Sequence, residues 1–137
     1  MLVLFIMVGT PCASRTSLPN PIKPNATLQV QLVNWCWYPS SDLFYVAEGK
    51  IKNLTSEDMD GVKAVFSVYD EKGNLLKNEA AEINAKSHHP GKTSVFRVVA
   101  TFHPKACQGR MDFRDFYGDF LMVDRNGEPA LKPMTKP

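Results

Sequence analysis

Glu48, Lys50 and Lys52 alternate with Ala47, Gly49 and Ile51, Lys63 and Ser67 fall between the apolar residues of a second run over 62–69, and that run ends in Asp70-Glu71-Lys72-Gly73. An extended chain turns successive side chains to opposite faces, so this period-two pattern marks strands with one buried face. The Asp/Gly pair, with a glycine able to take positive φ, marks the tight turn of a hairpin. Two such strands fix a class of architecture, because each must bury its apolar face against another layer.

The same reading extends along the chain. A first strand sets Val30, Leu32, Asn34 and Cys36 on one side and Val33, Trp35 and Trp37 on the other, ending at Pro39-Ser40-Ser41-Asp42. The second sets Leu43, Tyr45, Ala47, Gly49, Ile51 and Asn53 inward and Glu48, Lys50 and Lys52 outward. Gly49 in mid-strand implies a bulge or the close approach of a bulky neighbour from the facing sheet, with a tryptophan of the first strand as candidate. After a polar loop over residues 55–61, Val62, Ala64, Phe66 and Val68 point inward, and Lys63, Ser67 and Tyr69 outward. The return strand over 75–83 is sparse in apolar residues, as suits an exposed edge, and Glu79-Ala80-Ala81-Glu82 within it would also suit a helical turn. Residues 87–91 form a loop. Phe96, Val98, Ala100 and Phe102 alternate again, and residues 110–123 supply the closing strand or strands. Short strands between turns, with no long helical pattern and no internal repeat, predict an all-β chain: a single antiparallel β-sandwich of about seven strands.

The 137 residues suffice for one domain, and 44% hydrophobic with 22% charged residues is ordinary for a chain with a packed core. A formal charge of +2, with scattered Lys and Arg, gives no purchase on nucleic acid or an anionic membrane. Residues 1–8 are uniformly apolar and precede Gly9-Thr10-Pro11-Cys12-Ala13-Ser14. That run is too short for a bilayer span, which takes about 20 residues. It has the form of the hydrophobic region of a secretory signal over residues 1–14, although no basic residue precedes it. The alternative is an apolar first strand. Contact with a membrane is expected only through such a signal or through a lipid anchor on Cys12, which Pro11 disfavours. A proline-rich spacer over 15–25, the sandwich over 26–126 and a proline-rich tail over 127–137 complete the organisation. Export places the chain in the periplasm, at the cell surface or outside the cell. There Cys36 and Cys107 are an even pair, and a bridge between them would be worth on the order of 4 kcal/mol in the chain-entropy model. Two buried thiols are the alternative.

The segment Phe66-Ser67-Val68-Tyr69-Asp70, with Gly49-Lys50-Ile51-Lys52-Asn53 before it, Gly73 after it and Pro90-Gly91-Lys92 ahead of Phe96, resembles the FxLYD family. Val68 stands where that family's naming motif has leucine. The resemblance covers about residues 45–100 and leaves out Trp35-Cys36-Trp37 and residues 107–123. It implies an immunoglobulin-like sandwich in an extracytoplasmic setting, and it transfers no catalytic residue.

Candidate chemistry is thin. His88, His89 and His103 are the only histidines. Adjacent imidazoles on an extended chain face opposite ways, and no Cys or carboxylate stands at ligand spacing, so no metal or other cofactor is expected. No Gly-x-Ser-x-Gly, phosphate loop, dinucleotide fingerprint or His-Glu-x-x-His occurs. A nucleophile pair of His103 and Cys107, with Asp112 and Asp115 nearby, is the least favoured reading, and the chain is not expected to be an enzyme. Asp112, Asp115 and Asp119, interleaved with Arg110 and Arg114, suit a strand face with ion pairs. Asn25-Ala26-Thr27 and Asn53-Leu54-Thr55 have the form of glycosylation sequons. The densest aromatic group is Trp35, Trp37, Tyr38, Phe44 and Tyr45. Its first role is core packing. However, the parity of the first strand cannot bury both Trp35 and Trp37 along with Asn34 and Cys36, so Trp35, Trp37, Tyr38 and Phe44 are the candidate binding surface. The function expected is a non-catalytic binding module of the cell envelope, its partner another protein or an envelope component. The alternative is an assembly subunit that pairs through an edge strand.

Overall fold

The computed structural model describes residues 27–40, 43–83 and 87–125. The signal-like segment with Cys12, the spacer with Asn25, and the tail lie outside them. The described residues contain no helix and nine strands: β1 (Val30–Pro39), β2 (Phe44–Asn53), β3 (Met59–Asp60), β4 (Lys63–Tyr69), β5 (Leu75–Glu82), β6 (Ser87–His88), β7 (Thr93–Thr101), β8 (Gln108–Arg114) and β9 (Val123–Asp124). One sheet has the order β7-β2-β1-β9 and the other β5-β4-β8, with β3 and β6 forming a separate two-residue ribbon. This is the four-plus-three layering of an immunoglobulin-like β-sandwich. Neighbours pair antiparallel except β9, which runs parallel to β1. That exception arises because the chain leaves β8 in a hairpin, with Leu121 N donating to Phe113 O at 2.9 Å, and then crosses to the first sheet. The ribbon falls in two segments that the sequence presents as loops.

Period-two burial holds where it was expected. Ile51, Phe66, Val68, Phe96 and Val98 are all sealed between the layers. Aromatic rings tie the sheets together: Trp37 on Phe66 at 5.4 Å between centroids and Phe96 on Phe113 at 5.3 Å. As its composition implied, β5 is a largely exposed edge strand, and it packs beside β7, the edge of the opposite sheet.

The first strand departs from simple alternation. Its register against β2 slips between Leu32 and Asn34, since Leu32 pairs with Ile51 while Asn34 pairs with Lys50. Val33 is therefore an extra residue, a β-bulge, and every side chain beyond it changes face. Val30 and Leu32 enter the core before the bulge and Trp35 and Trp37 after it, while Asn34 is exposed and Cys36 half-buried. The parity that would have displayed the tryptophans to solvent is broken there.

Gly49 sits opposite Trp35 on one side and Phe96 on the other. A Cβ there would lie 2.6 Å from Trp35 Cβ and 2.8 Å from Phe96 Cζ, and would also meet the Asn34 carbonyl oxygen. The bulky neighbours thus come from the adjacent strands of the same sheet rather than the facing one. Two of these obstacles are backbone or nearly so and cannot swing away. Gly49→Ala is expected to cost about 3 kcal/mol by overpacking, read as a lower denaturant midpoint at unchanged slope. A neutral result would mean that β1 and β2 are not so closely paired.

The expected bridge between Cys36 and Cys107 is not formed. Cys36 lies on the face of β1 opposite Trp35 and Trp37, turned away from the interlayer space. Cys107 lies beside β4, its N–H donating to Tyr69 O at 2.9 Å. The two residues belong to different layers, and Cys36 points out of the interlayer space, away from the layer beside which Cys107 lies, so their side chains do not face each other.

Candidate functional site

The four residues expected to form a binding surface do not do so. Trp35, Trp37 and Tyr38 are buried and only Phe44, at 44%, is substantially exposed. The bulge at Val33 puts both tryptophans into the core. His103 and Cys107 adjoin the start of β8, whereas Asp112 lies five residues further on, about 16 Å along a strand. Asp112 is moreover engaged by two guanidinium groups, through Arg110 Nε and through Arg125 Nη2 at 2.7 Å. These side chains are not brought together around one pocket. Among the described residues no three His, Cys, Asp or Glu side chains gather as a metal site.

The residues that do gather lie at one end of the sandwich, where β1 and β7 begin and β2 and β8 finish. Asn53, the last residue of β2, is 1% exposed and holds two loops at once. Its Nδ2 donates to Glu57 O at 2.8 Å and to His88 O at 2.7 Å. Its Oδ1 accepts from Thr55 N and Thr55 Oγ1, both at 2.8 Å. A residue with its amide fully engaged in this way cannot carry a glycan in the folded chain, so Asn53-Leu54-Thr55 is a structural motif despite its sequon form. His88, opposite Met59 in the ribbon, is wholly buried, while His89 is exposed and pairs with Asp58 at 2.9 Å. The two imidazoles do face opposite ways. Beside this knot is a shallow open depression of about 590 Å³ lined by Leu28, Gln29, Leu54, Ser56, Met122 and adjacent threonines. Among the described residues its walls hold no titratable side chain and present amide, hydroxyl and apolar groups.

Among the described residues, the most exposed large apolar side chains belong to the hairpin after β8. Phe116 is 72% and Tyr117 85% exposed, their rings edge-on at 5.3 Å. The turn that carries them is rigid. Asp115 Oδ1 accepts from Tyr117 N at 2.9 Å and Asp119 N at 3.0 Å, Gly118 N donates to Asp115 O at 3.0 Å, and Gly118 takes φ 91°. The turn between β4 and β5 repeats this bonding: Asp70 Oδ1 accepts from Lys72 N and Asn74 N, both at 2.9 Å, Gly73 N donates to Asp70 O at 3.0 Å, and Gly73 takes φ 85°. Asp-x-x-Gly thus builds the same turn twice. In one copy the two projecting positions are Glu71 and Lys72; in the other they are Phe116 and Tyr117. The second copy was legible in the sequence as Asp115-Phe116-Tyr117-Gly118, but there it is submerged in an apolar run that reads simply as strand.

No protein-family model matches the chain, and no curated protein does. Among solved structures it is similar to IrmA from Escherichia coli, at 9% identity and TM-score 0.44, over 73% of this chain and 86% of that one. It is also similar to the C-terminal domain of wzt, at 10% identity and TM-score 0.44, over 80% of this chain and 82% of that one. Likeness at that level carries nothing about what this chain does.

Proposed function

We propose that this chain is a non-catalytic binding domain of the cell envelope that engages a partner protein through the Phe116–Tyr117 hairpin. The observation that carries the reading is the contrast between the twin turns. The Asp-x-x-Gly frame is satisfied by backbone and carboxylate bonds alone, as the Glu71-Lys72 copy demonstrates, so the turn itself has no need of aromatic rings at the projecting positions; Phe116 rests one edge on Gly61, and Tyr117 is the more exposed of the two. Large aromatics held in water on a rigid frame lose little conformational entropy on binding and have apolar area still to bury. Export is supported by the apolar run of residues 1–8.

Membership of the FxLYD family belongs to the same proposal, and it is supported by the physical role of each residue that carries the resemblance. Phe66 and Val68 fill the core, Asp70 and Gly73 make the turn, Gly49 admits the rings of its neighbours, and Asn53 ties the loops.

The twin turn supplies the control. A photoreactive phenylalanine analogue placed at position 117 in cells of the native host is expected to yield a discrete adduct, and the same analogue at position 71 none. Tyr117→Ser is expected to weaken that association by about 2 kcal/mol, roughly thirtyfold, while moving stability by no more than about 0.5 kcal/mol. Equal labelling from both turns, or none from position 117, would remove the proposal.

A further inference from the structure

His88 has no place in that binding surface, and its environment is unusual whether or not the hairpin binds anything. The imidazole is completely buried, with Nε2 3.0 Å from Lys92 O and Nδ1 buried without a hydrogen bond. Its own carbonyl accepts from Asn53 Nδ2, and the turn beyond it is closed onto β2, Gly91 N donating to Asn53 O at 2.8 Å and Asn53 N to Lys92 O at 3.1 Å. The ring is therefore packed inside the knot that joins the loop after β2 to the turn before β7.

We propose that His88 is an acid-sensitive latch: taking up a second ring proton opens the His89–Lys92 turn and, through Asn53, loosens the loop over residues 54–58.

A neutral imidazole with one N–H fits this site, donating from Nε2 to the Lys92 carbonyl. A second proton places a charge on a ring that water does not reach. Burial is the main cause holding the His88 pKa below its ordinary value, while the carbonyls of Lys92 and Ile51 act in the opposite direction. The ionisable groups on the elements packed around it are Lys92 and His89 on its own turn, Glu57, Asp58 and Asp60 on the loop and β3, and Lys52 on β2. Lys92 and His89 both disfavour the charge, and Asp58 is already engaged by His89. The opened turn returns the ring to water, where its pKa is about 6.5. The open state therefore binds the proton more tightly than the closed one. Closure is at full strength above that pH and weakens as the pH falls towards the lowered folded value.

The test is residue-resolved amide exchange of the full chain between pH 7.5 and 5, corrected for the intrinsic pH dependence of exchange. Protection at Asn53 and Gly91 is expected to fall several-fold, and at most about tenfold, per pH unit below about 6.5, while Phe66 and Met111 hold theirs. His88→Gln, which keeps a donor but does not titrate, should abolish the fall, and His89→Asn should leave it intact. Should the glutamine variant not fold, the ring resonances of His88 decide, titrating below 6.5 in step with the loss of protection. Constant protection, an equal fall in the core, a fall that survives His88→Gln, or one abolished by His89→Asn each overturns the latch.

Discussion

Trp37→Ala is expected to cost about 3–5 kcal/mol of folding free energy, and to lower the melting temperature by on the order of 20 °C. The indole packs on Phe66 at 5.4 Å and on Tyr45 at 5.2 Å, bridging the two layers at the centre of the core. It also presses on β8, where a Cβ at Gly109 would lie 2.7 Å from Trp37 Nε1. So tight a site leaves little room for neighbours to collapse into the vacated volume. Domains of this size hold about 5–15 kcal/mol in total, so the variant should lie near its unfolding threshold. Trp37→Phe should be far milder, about 1 kcal/mol. The buried Nε1 makes no hydrogen bond, and its removal offsets part of the lost packing. Thermal or urea unfolding checks both variants. An alanine variant as stable as wild type would return Trp37 to the surface role that its parity first suggested.

The second large effect is expected at Asn53. Asn53→Ala removes a side chain that serves two carbonyls, one backbone N–H and one hydroxyl. A buried polar group left without a partner costs about 1–3 kcal/mol, and water entering the vacated space relieves part of the total. A net loss of about 3 kcal/mol is expected. Asn53→Asp separates the donor role from the acceptor role. The carboxylate still accepts from Thr55, but it cannot donate and sets a negative charge against the carbonyls of Glu57 and His88. It should therefore be at least as damaging as alanine. An aspartate variant close to wild type in urea unfolding would mean that the Nδ2 bonds contribute little.

Both residues show how far sequence reasoning reached. The inward faces of β2, β4 and β7 were legible because none of these strands carries an extra residue within the alternating stretch and β2 keeps unbroken register with β7, and β4 with β8, so every second residue of Tyr45–Ile51, Ala64–Val68 and Phe96–Ala100 shares a face. β1 was misread beyond Leu32. One extra residue shifts the phase of all that follow, and Val33 bears no glycine or proline to announce it. The error carried forward to the binding surface. The disulfide failed for a related reason. Pairing two cysteines by count and compartment ignores which layer and which face each occupies.

The Asn53–His88 knot was invisible because it joins residues 35 apart through backbone carbonyls, which every sequence possesses. The Asp115–Gly118 turn was visible in principle, since it repeats the Asp70–Gly73 pattern already recognised. What the pattern could not say is that its two central side chains stay in water, because Phe-Tyr beside Met111 and Phe113 suits a buried strand equally well.

By itself, then, the sequence determined the class of fold. Period-two hydrophobicity and turn chemistry are local properties, each set by residues within a few positions of one another, and together they admit only layered strands. Tertiary structure decided which faces meet: the phase of β1 after its bulge, the separate layers of Cys36 and Cys107, the burial of His88 and the exposure of Phe116 and Tyr117. Those outcomes depend on pairing between segments distant in the chain, and a shift of one residue in that pairing reverses every side chain it touches.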